Sequence, residues 1–312
     1  MLEIALMIEG QNGLTWPRWM RIAQAVEDLG FAGLYRSDHY TNANPPDKES
    51  LELWVSLTWL ASHTRRIEFG PLVSPVSFRH PTLTARMAAA VDDLSNSRLI
   101  LGLGAGWQER EHANYGWELL DLKNRFSRFE EGLQIIQHLL HSDTPLDFTG
   151  KYFQLQEAVL LPRPMRPGGP PLLIGGNGQT RTLGLAARYA DEWNAVYITA
   201  SEFQRLSQRL DSLLAEQGRK LESMRRSLMT GLIYDENEDQ VSQRVTERTS
   251  GRQSAAELRQ RGLVVGAASE VVEQLGRLAE AGVQRVMLQW LELDDMDRLE
   301  SFGRQVIPQL KP

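Results

Sequence analysis

The sequence predicts an α/β protein, a (β/α)8 TIM barrel with insertions, built as one domain over residues 1–312. Three observations predict it. Short apolar runs alternate with helical patterns about eight times along the chain. No composition break, low-complexity tract or short-period repeat divides that alternation. Polar residues and glycines gather just after the apolar runs, where a barrel keeps its chemistry. A doubly wound sheet is the alternative, because strand order cannot be read from one sequence.

The elements follow in order. Glu3 to Ile8 reads as the first strand and Trp16 to Leu29 as a helix closed by Gly30. Gly33 to Ser37 is the second strand, Leu51 to Ser62 a helix, and Ile67 to Val73 the third strand. Pro81 suits the first turn of the next helix, which runs to Leu94. Leu99 to Gly104 is strand four, and a long helix spans Arg125 to His141. Leu172 to Gly175 and Glu192 to Val196 are strands five and six, separated by a helix from Thr180 to Tyr189. Thr199-x-x-Glu202 is a capping box that opens a helix to Gln217. Ser227 to Tyr234 and Arg285 to Trp290 complete the strands. A helix from Ser269 to Ala281, with Gly282 as its cap, precedes the last strand, and Leu299 to Leu310 closes the chain. The insertions lie near 106–123, 143–170 and 239–262, the second holding a short strand-like piece, Tyr152 to Leu155.

Bulk properties narrow the function. Hydrophobic residues make up 42% and charged residues 24%, and the net charge is −6, which points away from nucleic acid and anionic membranes. No apolar run reaches membrane-spanning length, and no signal-peptide pattern opens the chain. Cysteine is absent, so disulfides, thiolate metal sites and cysteine nucleophiles are excluded, and a cytoplasmic enzyme is the expectation.

The strand ends carry the candidate chemistry. In ILGLGAGW, residues 100–107, glycines alternate at 102, 104 and 106 and clear one face of the strand where it ends. A flat ligand needs such space, and so does tight strand packing. Gly175, Gly176, Asn177 and Gly178, followed by Thr180, form a glycine-rich turn opening a helix, which suits a phosphate and also occurs as a plain turn. His39 is the candidate for proton chemistry. Asp38 beside it points to the other face of the strand, so the two are not automatically a dyad. The six histidines include no His-x-His pair, so no metal site is expected. Trp16, Trp19, Trp54 and Trp59 read as core, whereas Trp107 stands at a strand end, placed to stack on a ring. Glu9 and Arg79 are weaker candidates for substrate contact.

Several motifs together resemble the luciferase-like monooxygenase superfamily of flavin- and deazaflavin-dependent enzymes. They are SDHY at 37–40, GPLVSPVSFRHP at 70–81, RLILGLGAGWQEREHANYG at 98–116, RFSRFEEGLQII at 125–136 and PPLLIGGNGQTRTLGLAARYADEWN at 170–194. The chain looks most like the branch that uses the 8-hydroxy-5-deazaflavin coenzyme F420. The resemblance implies a barrel that is usually dimeric, a homodimer here, with a small-molecule substrate. The tricyclic ring would lie over the end of strand three, behind it a non-prolyl cis peptide, by position Pro71–Leu72, with Ser74–Pro75 as a competing candidate. It further implies that His39 lies next to the ring, that Gly175 to Gly178 hold its phosphate, and that Ala105, Gly106 and Arg110 touch the ring or its side chain. Trp107 departs from the family pattern: it stands where the sugar-phosphate dehydrogenase of the family has a catalytic glutamate, so that mechanism is not expected. An oxygenase using flavin mononucleotide (FMN) is the alternative, and a non-catalytic flavin-binding protein is a third reading.

Overall fold

A computed structural model describes residues 2–310. In chain order, β1 (Glu3–Ile8) leads to α1 (Trp16–Asp28), β2 (Gly33–Arg36) to α2 (Leu53–His63), and β3 (Glu68–Pro71) with β4 (Ser74–Pro75) to α3 (Pro81–Leu94). Next come β5 (Leu101–Gly104), α4 (Glu109–Tyr115), α5 (Leu122–His141), β6 (Leu146–Thr149) and β7 (Gln154–Ala158). Then β8 (Leu172–Gly175) leads to α6 (Thr182–Tyr189), β9 (Glu192–Val196) to α7 (Ala200–Glu216), and β10 (Arg225–Tyr234) to α8 (Glu238–Thr249) and α9 (Ala255–Gln260). The chain finishes with β11 (Val264–Gly266), α10 (Ala268–Glu280), β12 (Arg285–Trp290) and α11 (Met296–Gln305).

The strands pair in parallel in the order β3-β2-β1-β12-β10-β9-β8-β5-β4. The ends meet, because Phe69 bridges Leu99, with Phe69 N–H donating to Arg98 O at 3.1 Å and Ile100 N–H to Phe69 O at 2.9 Å. β3 and β4 are therefore two halves of one stave, and the eight-stave barrel of the sequence reading is present. Outside it, β11 pairs with the long β10, and β6 and β7 form an antiparallel hairpin within the 143–170 insertion. The strand-like piece at Tyr152 to Leu155 starts two residues later, at Gln154, because Lys151, Tyr152 and Phe153 give their N–H groups to the Glu131 carboxylate instead.

Third-strand regularity fails where the sequence suggested continuity to Val73. Arg36 pairs with Pro71 and accepts from Leu72 N–H at 2.8 Å, so the ladder holds through the nitrogen of Leu72. The non-prolyl cis bond falls at Leu72–Val73, one bond beyond the expected Pro71–Leu72, and Ser74–Pro75 is trans. Helix α6 starts at Thr182 rather than Thr180, and the last helix stops at Gln305 before a short 3-10 turn.

Two cores result. Strand outer faces and helix inner faces share the large one, with Trp19, Phe31, Phe69, Trp193, Phe203 and Phe302 fully buried. Inside the barrel, Ala5, Met7, Tyr35, Leu72, Ile100, Leu173, Met229 and Met287 pack together. The N-terminal end below them is plugged by Arg285, 2.5 Å from Glu3, against Glu68 and the Tyr35 hydroxyl. A filled middle and a charged plug leave the C-terminal end as the open mouth. Among the described residues no helix is long and apolar enough to cross a membrane.

Candidate active site

A cavity of about 580 Å³ opens at that mouth. Its wall brings together Glu9, His39, Leu72, Ala105, Gly106, Trp107, Gly175, Gly176 and Asn177 from the sequence-predicted set. Pro71, Arg79, Arg110, Gly178 and Thr180 lie off the wall.

His39 follows β2 and is fixed from above by α4. Its Nδ1 lies 2.8 Å from Glu111 Oε1, and the other carboxylate oxygen accepts from Tyr40 N–H at 3.1 Å. Glu111 is buried, and burial disfavours the imidazolium of its partner. The hydrogen bond and charge of Glu111 outweigh that penalty and hold His39 above its ordinary value. Nδ1 therefore carries a proton toward Glu111, and Nε2 is left as the nitrogen that gains or loses one. Gln108 ties α4 to the same loop, accepting from the Thr41 hydroxyl and donating to Thr41 O, both at 3.1 Å. Tyr40, Phe78, Tyr115 and Trp117 pack as an aromatic cluster that seats this segment, with Tyr40 and Trp117 centroids 4.9 Å apart.

Neighbouring Asp38 turns the other way, as strand geometry requires. It accepts from the Ser74 hydroxyl at 2.7 Å and pairs with Arg79 at 2.5 Å. Arg79 is thereby paired within the protein, reaching Glu52 at 2.8 Å as well, and lies off the cavity wall. Arg110 is also off the wall: on the outer face of α4 it pairs with Asp47 at 2.6 Å and donates to Asn42 O at 2.9 Å, anchoring the 40–50 loop.

All three alternating glycines make room for protein neighbours. A Cβ on Gly102 would sit 2.1 Å from Pro71 O, so this glycine admits the backbone of the neighbouring stave. Gly104 and Gly106 also border the cavity, but an added Cβ would meet Val73 Cγ2 at 2.7 Å on the first and Ser77 Oγ at 2.9 Å on the second, whereas on Gly175 it would meet Val73 Cγ1 at 3.2 Å. The turn after β8 is pinned by Asn177, whose amide donates to Val196 O at 2.7 Å and accepts from Val196 N–H at 2.9 Å. The Gly176 N–H is spent on Asn194 O at 2.9 Å. Trp193 is core, its indole N–H donating to Gly176 O at 2.9 Å, whereas Trp107 is 61% exposed and stands edge-on to His39 at 5.6 Å.

Among the wall residues that sequence reasoning missed, four carry polar groups of note. Glu111 orients His39. Arg125 is the wall's lysine-or-arginine cation and donates to Gly106 O at 3.0 Å. Asn194 has a buried Oδ1 with no partner. Tyr197, with φ of +49°, donates to Gln289. A helical wheel over 108–115 carries the signal for the first, since Gln108, Glu111 and His112 share one face and Arg110 does not.

The wall suits a flat heterocycle. The backbone of Gly104, Gly106, Gly175 and Gly176 and the apolar side chains of Leu72, Val73, Val196 and Met229 line it together, with a few polar groups. A phosphate-bearing tail would meet Arg125 and the turn held by Asn177.

Comparison with known proteins follows the same line. The chain is 26% identical to an F420-dependent glucose-6-phosphate dehydrogenase of Amycolatopsis mediterranei (strain U-32), over 93% of each chain. It is 27% identical to a 4-hydroxyprotoasukamycin monooxygenase of Streptomyces nodosus subsp. asukaensis, covering 95% of this chain and 87% of that one. Among solved structures, an F420-dependent secondary alcohol dehydrogenase in complex with an F420-acetone adduct has the same fold, with a TM-score of 0.87, 19% identity, and coverage of 100% of this chain and 99% of the other. The model of the luciferase-like monooxygenase family matches residues 4–285, and the chain belongs to that family.

Proposed function

We propose that the chain is a coenzyme F420-dependent oxidoreductase that moves a hydride between the deazaflavin and a carbon of a small organic substrate. The observation that carries this is the His39–Glu111 couple on the wall of a glycine-faced cavity: a tuned proton-transfer group beside room for a planar ring. The relatives named for F420 support the coenzyme. When bound, the coenzyme supplies hydride exchange at C5. The protein does the rest. The backbone at Gly104, Gly106 and Gly175 flanks the ring, and Arg125 and the Asn177-pinned turn meet its anionic tail. His39 exchanges a proton with the substrate oxygen through Nε2, while Trp107 shields that nitrogen from water.

An FMN-dependent monooxygenase is the second reading, favoured by the likeness to the protoasukamycin enzyme over nearly the whole chain. The proposal includes a homodimer in the cytoplasm. Val55 of α2 and Leu83 of α3 are exposed apolar side chains that would serve a partner copy.

Titrating the purified protein with F420 and with FMN, followed by fluorescence, tests the reading. Micromolar or tighter binding of F420 with weaker FMN binding is expected. Tight FMN binding with negligible F420 binding would overturn it.

A further inference from the structure

A second polar group on the cavity wall has no role in the proton transfer described above. Glu9 follows β1, and its carboxylate is held by two neutral amides: Gln289 donates to Oε1 at 2.7 Å and Gln11 to Oε2 at 2.9 Å. Each amide is itself fixed. The Gln11 oxygen accepts from the Ser37 hydroxyl at 2.7 Å, and the Gln289 oxygen accepts from the Tyr197 hydroxyl. The donors that line this part of the wall, Ser37 and Tyr197, have thus spent their protons within the protein. What remains facing the cavity is a set of acceptors and one negative charge.

The other charged wall groups do not cancel it. Glu111 is committed to His39 and the Tyr40 N–H, and Arg125 sits on the Gly106 carbonyl beside α5. Glu9 lies near enough to His39 for its charge to favour the imidazolium. Its field therefore reaches the group that handles the substrate oxygen. Met7, Val196, Met229 and Trp107 supply apolar wall between these polar groups.

We propose that the Glu9–Gln289–Tyr197 cluster selects the substrate: an alcohol, or its carbonyl partner, that bears a second hydrogen-bond donor, hydroxyl or ammonium, and no anionic group. A carboxylate beside spent donors rewards a donor, and a phosphate or carboxylate brought there would lose water while facing Glu9. This selection rests on the oxidoreductase reading.

The test uses five probes that share one skeleton: 2-butanol, propane-1,2-diol, 1-amino-2-propanol, 3-hydroxybutyrate and 2-hydroxypropyl phosphate. Cofactor titration comes first, so a failure of the coenzyme reading is seen separately. Calorimetry on the cofactor-loaded protein then gives each probe's Kd, and deazaflavin fluorescence gives its turnover. The diol and the amino alcohol should bind at least about tenfold more tightly than the two anions. Glu9→Gln should erase the advantage of the amino alcohol over the anions, and Glu9→Asp should keep the order. Tighter binding of either anion, no binding of the diol and amino alcohol, or an unchanged order in Glu9→Gln would overturn the proposal. Circular dichroism establishes that both variants are folded, and the order measured on the unaltered protein already tests the selection by itself.

Discussion

Glu111 Oε1 and His39 Nδ1 are 2.8 Å apart although 72 positions separate them in the chain. The contact exists because α4 lays its inner face over the loop after β2. It converts a histidine that burial alone would keep neutral into one that holds its proton above the ordinary value. For activity, the step that needs His39 protonated should persist to higher pH than a free imidazole allows and fall as pH rises through the raised value. Glu111→Gln keeps the hydrogen bond but removes the charge, so that limb should move to lower pH and turnover at neutral pH should drop. His39→Ala should cost roughly 10²–10⁴-fold in kcat. Cofactor affinity should stay within about threefold in both variants, and a pH–rate profile with a binding titration reads all three outcomes. An unshifted limb in Glu111→Gln would remove Glu111 from the mechanism.

The two kinds of glycine on β5 and β8 separate folding from binding. Gly102→Ala places its methyl 2.1 Å from the Pro71 carbonyl oxygen, a backbone atom with nowhere to go. It should prevent closure of the barrel, seen as insoluble or unfolded protein. Gly175→Ala meets only the Val73 side chain, at 3.2 Å, and should fold. Its methyl would lie on the cavity wall, so cofactor affinity should fall by about tenfold or more through lost contact with the ring. Circular dichroism and a fluorescence titration distinguish the two outcomes.

Much of this was legible in the chain. Short apolar runs bounded by glycine and proline gave the staves, and the first-turn Pro81 and the Thr199 cap set their helices because both act within one turn. Strand ends gathered most of the cavity wall for the same topological reason. The rest depends on distance in the chain. The break between β3 and β4 is set by pairing with Arg36, which no local pattern reveals. Arg110 and Arg79 stood beside the right motifs, but their charges are matched by Asp47 and Asp38 in other loops. Glu111 was visible only once 108–115 is read as a helix with an inner face.

Arg79 and Asp38 form a buried pair, with side chains only 10% and 3% exposed. Removing one partner strands the other charge out of water. Arg79→Ala should therefore cost about 3 kcal/mol of stability or more, read by urea denaturation. Asp38→Asn should cost a comparable amount. In the double variant Arg79→Met with Asp38→Leu part of the loss should return, since no uncompensated charge remains. A cost under about 0.5 kcal/mol for Arg79→Ala would instead mark it as a solvated pair, free to serve a ligand.

Asp92, at the end of α3, gives the fold its own pH dependence. Burial pushes its carboxyl up to about 6, against the opposing pull of Arg166, 2.9 Å away in the 143–170 insertion, and the Leu99 N–H. A carboxyl that is harder to ionise when folded binds a proton in the native chain that the unfolded chain has already released. Its contribution to stability is full below about pH 4 and is lost as pH rises through about 6. Asp92→Asn retains an acceptor for the Leu99 N–H but cannot ionise. Relative to the wild type, this variant should gain stability between pH 4 and pH 7, measured as the change in urea midpoint at each pH. The expected gain applies to the pH difference, because any change in packing that the substitution brings is the same at both ends. If the two proteins trace parallel stability curves, the carboxylate is already ionised at pH 4 and the Arg166 charge, not burial, governs it.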